Sequence, residues 1–223
     1  MHPVVAIDGP SGAGKGTVAR AVAHELGWPY VDTGAMYRAV AWRARDAGLS
    51  LEARDEERVA AVALNAAIEV GGERVAIDGH DVTGAIRTPE IDDAAARVAR
   101  LPRVRAALVA RQRQYAAVGP VVMEGRDIGT VVFPEAAVKV YLDASPAARA
   151  ARRSTDPAHG LSRAGAIDVV ADALAARDHL DRTRRASPLR RAPDATVLDT
   201  TGLQIESVVA RVLEIVRACL GRG

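Results

Sequence analysis

The chain has 223 residues, of which 49% are hydrophobic, 26% charged and 3% aromatic, and its formal net charge is +2. This length and hydrophobic content allow a buried core and exclude a disordered chain. The near-neutral charge and scarce aromatic rings argue against a general nucleic-acid binder, which needs a basic surface and rings that stack on bases. Cys219 is the only cysteine in the sequence, so an internal disulfide cannot form.

The sequence predicts neither a membrane span nor a leader. The first apolar run stops at Asp8, and no long uncharged stretch follows it. We therefore expect a protein of the cytoplasm that does not bind membranes. The five histidines lie far apart and lack the spacing of metal ligands, so a zinc site is not expected.

A glycine-rich loop near the start of the chain predicts a phosphate-binding site. The apolar run Val4–Ile7 predicts a buried strand, and residues 18–23 favour a helix. In this strand, loop and helix order, G-x-x-x-x-G-K lets backbone N–H groups and a helix N-terminus converge on phosphate oxygens, with Lys15 reaching the outer phosphates. The ATP-binding residues predicted here are Gly9, Pro10, Ser11, Gly12, Ala13, Gly14, Lys15, Gly16 and Thr17.

The end of this loop points to one class of kinase. It reads G-K-G-T, so the hydroxyl residue Thr17 comes one place later than in the commonest phosphate-binding loops. This ending resembles nucleoside monophosphate kinases. A short predicted strand then leads into Asp32-Thr33-Gly34-Ala35-Met36-Tyr37-Arg38, which is similar to the acceptor-side motif of the same class.

A small inserted sheet is predicted between residues 66 and 86. Two strand-like runs, Ile68–Val70 and Arg74–Ile77, are joined through Gly71-Gly72, and Asp78-Gly79 gives a second turn. A lone hairpin is only marginally stable in water. We therefore expect a lobe that rests on the core and can move when substrate binds.

Three helix starts are predicted from capping residues. Thr88 and Ser145 each precede a proline, an arrangement that favours the first turn of a helix. Thr201 with Gln204 has the spacing of a capping box for the last helix. A break near Leu101-Pro102 divides the helical stretch that begins after Thr88.

The stretch after the next predicted strand is the most specific in the chain. The strand at residues 121–123 would deliver Glu124-Gly125-Arg126-Asp127 to the sheet edge where ligands bind in this class of fold. With the phosphate loop and D-T-G-A-M-Y-R, the motifs I-R-T-P-E, P-R-V-R, E-G-R-D-I-G-T-V-V-F-P and Y-L-D-A-S resemble bacterial-type cytidylate kinase. The resemblance runs from Val4 to the C-terminal helix.

The resemblance implies ATP-dependent phosphorylation of CMP and dCMP, with Mg²⁺ bridging the donor phosphates. It implies CMP binding by Thr33, Tyr37, Arg38, Arg105, Arg126, Asp127, Arg177, Asp181 and Arg184. An arginine-rich helix before a loop resembles the lid of this class, and it adds Arg149 and Arg153 to the ATP-binding residues. The implied catalytic residues are Lys15, Arg126, Arg152 and Arg184.

Recognition of the base is assigned to two of these residues. Cytosine presents an amino group beside a ring nitrogen and a carbonyl, so a selective site needs an acceptor and a donor. The resemblance places Asp127 and Arg105 there. Ala96 stands where close relatives often have a serine that contacts the base, which puts the exclusion of UMP in question.

The expected fold is α/β, a three-layer phosphate-loop core with a parallel sheet. We expect one domain over residues 1–223, with core segments 1–63, 87–148 and 163–223. The acceptor lobe is placed at about 64–86 and the lid at about 149–162. We expect a monomer whose partners are small-molecule substrates.

Other functions that use a phosphate-binding loop predict different sequences. A shikimate-type kinase should lack the hairpin lobe and the E-G-R-D stretch. A regulatory GTPase needs N-K-x-D, but Asn65 is the only asparagine and Ala66 follows it. A nucleotide-dependent RNA-binding module should have a basic, aromatic surface, which the composition argues against.

Overall fold

The structure, a computed structural model, describes residues 2–72, 74–156 and 167–221. The strands are β1 (Val4–Asp8), β2 (Tyr30–Asp32), β3 (Ile68–Gly71), β4 (Arg74–Ile77), β5 (His80–Asp81), β6 (Val121–Gly125), β7 (Val138–Asp143) and β8 (Thr196–Asp199). The α-helices are α1 (Lys15–Leu26), α2 (Thr33–Asp46), α3 (Glu56–Asn65), α4 (Pro89–Val98), α5 (Pro102–Val118), α6 (Pro146–Ser154), α7 (Ile167–Thr183) and α8 (Ile205–Leu220). A short 3₁₀ turn precedes α3, and a π-helical turn, Ile128–Val132, follows β6.

The central sheet is parallel and has the strand order β2-β6-β1-β7-β8. Every residue of β1 is buried, and Val5 is in register with Val122 on one side and Val138 on the other. One apolar cluster includes α2, α3 and α5, and another includes α1 and α8. Helices therefore cover both faces of the sheet, which confirms the three-layer α/β fold and explains the continuous apolar runs of its inner strands.

The inserted lobe is a three-stranded antiparallel sheet in the order β3-β4-β5. The predicted hairpin is present, and Ile68 pairs with Ile77. The third strand pairs with β4 after a tight turn in which Asp78 and Gly79 both have positive φ, 50° and 78°. The buried side chains of the lobe pack against the start of α2, with Ile77 fully buried between them. The lobe thus shares its apolar core with the helix that carries Tyr37 and Arg38.

Two of the three predicted helix starts are confirmed. The hydroxyl of Thr88 accepts from Ile91 N at 3.3 Å, and that of Ser145 accepts from Ala148 N at 3.3 Å. The capping box was wrong: α8 begins at Ile205 with Gln204 as its N-cap residue. The Thr201 hydroxyl instead accepts from Ser145 N at 2.8 Å, so this side chain ties two neighbouring loops together.

The predicted lid is covered only in part. Its first residues form α6, which reaches Ser154, and the rest of the predicted segment, from 157 onward, lies outside the described residues. Within residues 2–72, 74–156 and 167–221, no helix combines the length and the apolar character that a membrane crossing needs.

Candidate active site

The phosphate loop leaves β1 at its carboxyl end, and close backbone packing requires its first glycine. A β-carbon on Gly9 would lie 2.0 Å from the carbonyl oxygen of Leu142 in β7, and φ is 151°. Gly14, at φ 88°, is the N-cap residue of α1. Since glycine has no side chain that could cap the helix, the N-terminal N–H groups of α1 are left for an anion.

Lys15 folds back over this loop. Its side chain is buried, and Nζ donates to the carbonyl oxygen of Pro10 at 2.8 Å. Burial, helped by the nearby Arg126 guanidinium, lowers the pKa of Lys15 to about 7. A phosphate in the loop would stabilise the charged ammonium, so binding of an anion would favour protonation of this side chain.

Three charged side chains from outside the phosphate loop bind Ser11 within it. Its N–H donates to Asp178 Oδ1 at 3.0 Å, and its hydroxyl accepts from Arg126 Nη2 at 2.7 Å. Its carbonyl accepts from Arg149 Nη1 at 3.0 Å. Sequence reasoning missed Asp178, although it directly follows the predicted Arg177.

The start of α2 positions an arginine at the neighbouring strand end. Asp32 caps the helix by accepting from Ala35 N at 2.8 Å, and its other carboxylate oxygen accepts from Arg38 Nη2 at 2.8 Å. The hydroxyl of Thr33 donates to the carbonyl oxygen of Glu124 at 2.8 Å, which fastens α2 to β6. The motif D-T-G-A-M-Y-R therefore places Arg38 beside the end of β6.

The two residues assigned to the base lie together, beside two others that are predicted to bind CMP. Asp127, just after β6, is buried and forms an ion pair with the buried Arg105 of α5. Arg184, directly after α7, places Nη2 3.7 Å from Asp127 Oδ1. The Arg105 guanidinium carbon lies 5.5 Å from the centroid of the Tyr37 ring of α2, within cation–π range.

A second carboxylate, that of Asp181, contacts three arginine side chains. Asp181 Oδ2 accepts from Arg126 Nε at 3.0 Å, Arg177 Nε lies 3.9 Å away, and Arg184 Nη1 lies 3.5 Å from Oδ1. Burial opposes ionisation of this carboxyl, but the neighbouring guanidinium groups, Arg126 foremost, hold the pKa of Asp181 below its usual value. The same burial lowers the pKa of Arg177 and Arg184.

Buried donors without partners concentrate in this region. Within the described ranges, seven buried side-chain nitrogen or oxygen atoms have no hydrogen-bond partner. Five of them belong to residues predicted to bind CMP, namely Tyr37 Oη, Arg38 Nε, Arg105 Nε, Arg177 Nε and Arg184 Nη2. Because buried polar groups are normally paired, this concentration indicates a site built for a polar, anionic ligand.

The three arginines of α6 lie in different places. Arg152 donates to Thr200 Oγ1 at 2.8 Å, and its Nη1 lies 3.8 Å from where a β-carbon on Gly14 would be, which places Arg152 beside the phosphate loop. Arg149 is buried in an ion pair with Asp178. Arg153 forms an ion pair with Asp92 of α4, whose carbonyl oxygen also accepts from Arg177. It therefore lies toward the arginine cluster, a name used below for Arg126, Arg177 and Arg184 around Asp181 together with the nearby Arg38.

Comparison with known proteins decides the family. A family profile described as cytidylate kinase matches residues 5–218. The chain belongs to the cytidylate kinase family. It is therefore a kinase that takes its phosphoryl group from ATP, and CMP and dCMP are the acceptors of this family.

Individual relatives agree over the whole chain. A cytidylate kinase from Solibacter usitatus is 46% identical over 225 residues, covering 99% of this chain and 94% of that protein. A cytidylate kinase from Desulfitobacterium hafniense is 48% identical over 217 residues, covering 95% and 91%. A gluconokinase structure from Sinorhizobium meliloti 1021 has a TM-score of 0.51 at 15% identity over 99% of this chain and 94% of that one, which supports the fold alone.

Two buried carboxylates lie near the loop of this cytidylate kinase family member. Sequence analysis placed Glu124 at the ligand-binding edge of the sheet without a role, and it missed Asp8. Asp8 accepts from the N–H groups of Ile128 and Gly129 at 2.9 and 2.8 Å, and it thereby holds the segment after Asp127. Burial raises its pKa to about 6, although these two N–H groups oppose the shift. Glu124 Oε1 lies 3.4 Å from where a β-carbon on Gly16 would be, and burial followed by the charge of Asp32 raises its pKa to about 6.

Proposed function

We propose that this chain transfers the terminal phosphoryl group of ATP to CMP or dCMP, using the phosphate loop for the donor and the arginine cluster for the acceptor. The observation that carries this proposal is the set of five buried side-chain atoms that have no hydrogen-bond partner and belong to residues predicted to bind CMP. The attacking group is a phosphate oxygen that is already ionised at neutral pH, so a strong general base is not required. Catalysis then consists of placement and neutralisation of charge.

On the donor side, we assign the loop N–H groups and Lys15 to the phosphates of ATP. Arg152 is assigned to the transferred group because its guanidinium lies beside Gly14 of the loop. That Arg149 and Arg153 also reach ATP stays a prediction, since their guanidinium groups are bound to Asp178 and Asp92 here.

On the acceptor side, we assign Arg38, Arg126 and Arg184 to the phosphate of CMP, with Arg126 and Arg184 also serving the transferred group. Arg38 and Arg126 are held by carboxylates at 2.8 and 3.0 Å, so an arriving phosphate would replace existing partners rather than order free side chains. That preorganisation lowers the entropic cost of binding. Arg177 and Asp181 complete this side, with Asp181 also placed to accept from the ribose.

The base is assigned to Asp127 and Arg105, beside Tyr37. The ion pair between Asp127 and Arg105 offers one acceptor and one donor at adjacent positions, which matches the amino group and carbonyl of cytosine. Ala96, on α4, is buried and adds no polar group to this readout.

ATP is expected to arrive with Mg²⁺, which would neutralise phosphate charge and lend Lewis acidity. Across the described ranges, no group of three or more His, Cys, Asp or Glu side chains could hold a metal ion. The donor phosphates and water would therefore supply most of the ligands. Glu124 fits as the protein carboxylate, since it is buried beside Gly16 and a cation would favour its ionised form.

Lobe movement and assembly are part of the same proposal. We propose a mobile acceptor lobe at about 64–86 and a lid at about 149–162 of one domain. The lobe packs on the helix that carries Tyr37 and Arg38, and the described part of the lid segment places Arg152 beside Gly14 of the phosphate loop. We also propose a monomer. The cytoplasm is proposed as its location because free nucleotides and ATP are found there together.

The test is an ADP-release assay with ATP and each of CMP, dCMP, UMP, AMP, GMP and shikimate. CMP and dCMP should give the highest kcat/KM, and shikimate should give none above background. A preference for a purine nucleotide or for shikimate would contradict the proposal. Sedimentation at assay concentrations would test the monomer.

A further inference from the structure

The main chain and side chain of Ser11 are held by three different elements. Asp178 of α7 accepts its N–H at 3.0 Å, Arg149 of α6 donates to its carbonyl at 3.0 Å, and Arg126 after β6 donates to its hydroxyl at 2.7 Å. The position of Ser11 is therefore fixed by charged groups from outside the phosphate loop as well as by the loop's own glycines.

Asp178 is the centre of this arrangement. Its second carboxylate oxygen is paired with Arg149, and the two residues are only 3% and 8% exposed. Arg149 is itself oriented by the carbonyl of Ala144, to which its Nε donates at 3.2 Å. Hydrogen bonds thus link Asp178, Arg149 and Ser11 in a closed ring. Loss of either charged residue would leave the other charge buried and unpaired.

The same helix serves the acceptor side. Arg177 precedes Asp178 directly, and Asp181 follows it by three residues. Arg126 adds a second connection, because it donates to Asp181 at 3.0 Å and to the Ser11 hydroxyl at 2.7 Å. The distance between the donor loop and the acceptor arginines is therefore set through α7.

We propose that Asp178 is a positioning residue that locks the phosphate loop to α7, so that the donor phosphate is held in line with the acceptor bound by the same helix. This role rests on the proposed function. Asp178 itself touches neither substrate. Phosphoryl transfer depends on alignment, and a displacement of about 1 Å can cost about 100-fold in rate, so weakening this lock should lower kcat more than it lowers affinity for CMP.

The experiment compares Asp178→Asn, Arg149→Met and the double variant with the parent. Asp178→Asn keeps an oxygen for Ser11 N–H but removes the charge that pairs with Arg149. The double variant has no unpaired buried charge, so it should fold even where a single variant does not. Asp172→Asn is the matched control, because Asp172 lies exposed on the same helix.

We expect Asp178→Asn to reduce kcat by about 10- to 100-fold, with the Kd for CMP alone within twofold of the parent. The double variant should lose no more than the worse single variant, since both changes break one pair. Asp172→Asn should match the parent. A parent-like kcat and ATP KM in the double variant would overturn the proposal, as would losses in the two single variants that multiply in the double variant.

A separate binding measurement keeps this test independent of the acceptor's identity. The Kd of a non-hydrolysable ATP analogue, measured by calorimetry without CMP, should be at least about fivefold weaker in Asp178→Asn, which keeps Arg149, than in the parent. If the parent fails to phosphorylate CMP, the proposed function fails while this measurement still stands. An unchanged Kd for the analogue would overturn the positioning role.

Discussion

Lys15 carries an ammonium group into a place that water hardly reaches. Without a phosphate nearby, its partner is the carbonyl oxygen of Pro10, and burial lowers its pKa to about 7. At pH 8 the side chain is then mostly neutral. A bound triphosphate supplies negative charge and raises this pKa, so donor binding and protonation of Lys15 are linked.

This linkage predicts proton uptake on donor binding. At pH 8, the protein should take up about one proton per site when a non-hydrolysable ATP analogue binds. At pH 5.5 the proton uptake at Lys15 should vanish, because the ammonium is already formed. Calorimetry in two buffers of different ionisation enthalpy measures this number. Lys15→Met is the control, and equal uptake by parent and variant at pH 8 would contradict the pKa of Lys15.

Lys15→Met should also lose turnover while it keeps its fold. The substitution removes the charge that we propose acts on the transferred phosphate, and it keeps a side chain of similar length. We expect kcat to fall by about three or more orders of magnitude, with far-UV circular dichroism unchanged. Turnover within about tenfold of the parent would show that the loop is not the catalytic cradle.

Asp127 should decide between cytosine and uracil. Asp127→Ala should lower kcat/KM for CMP, and the fall should correspond to a loss of about 1–3 kcal/mol of transition-state stabilisation, the usual contribution of one base-edge contact. UMP should lose less, since it has a carbonyl where cytosine has its amino group and gains nothing from a carboxylate. The measured quantity is the ratio of kcat/KM for CMP to that for UMP.

Arg105→Met is the companion variant for that ratio. Both nucleotides carry the other carbonyl, so both should lose activity and the ratio should change little. Because Arg105 and Asp127 are paired, each variant must also be checked for its free energy of unfolding. Equal losses on CMP and UMP in Asp127→Ala would assign Asp127 a structural role.

At the scale of elements, the sequence predicts well what is decided locally. The phosphate loop, its strand and its helix were predicted because apolar runs, glycines and a helix start lie within a few residues of one another. Strand β5 was missed because a strand of two residues exists only through its pairing with β4. Thr201 failed as a cap because its hydroxyl binds Ser145, a residue brought near only by the fold.

Sequence analysis missed some site residues for the same reason. The contact of Asp178 with Ser11 spans 167 residues, and that of Asp8 with Ile128 spans 120. A buried aspartate in a helix or at a strand end has no local signature, so sequence could not predict these contacts without a known relative. Arg149 was predicted to reach ATP because it lies in an arginine-rich helix, but its ion pair with Asp178 could be seen only in three dimensions.

The junction of β1 and the phosphate loop gives a stability prediction. Gly9→Ala places a β-carbon 2.0 Å from the Leu142 carbonyl, so either β7 or the loop must shift. Gly27→Ala is the control, since Gly27 has φ 65° but no atom within 4 Å of its β-carbon position among those described. Urea unfolding should show a loss of about 1 kcal/mol for Gly27→Ala.

The loss for Gly9→Ala should be larger by several-fold, because it combines strain with a clash against backbone that cannot rotate away. Equal losses in the two variants would show that the loop adapts freely at Gly9. That outcome would also weaken the view that β7 shapes the phosphate loop.

At the scale of the whole molecule, a rigid sheet carries parts of different stability. The inner strands β1, β6 and β7 are buried. In the inserted lobe of three short strands, β5 is exposed and β3 alternates between half-buried and exposed residues. Such a lobe opens at lower free energy than the core. Its side chains pack on α2, which carries Tyr37 and Arg38, so acceptor binding and lobe position should be coupled.

The last prediction tests this coupling with a bisubstrate analogue that joins the two nucleotides. If the lobe at residues 66–86 and the segment that begins at Arg149 close over substrates, amide exchange in both should slow by about tenfold or more when the analogue binds. Exchange in β1, β6 and β7 should change little, because these strands are already protected by burial. CMP alone should slow the lobe but leave α6 nearly unchanged, which separates the acceptor response from the donor response. Unchanged exchange in both segments with the full analogue would remove the moving lobes from the mechanism and leave the preformed arginine cluster as the whole of the acceptor site.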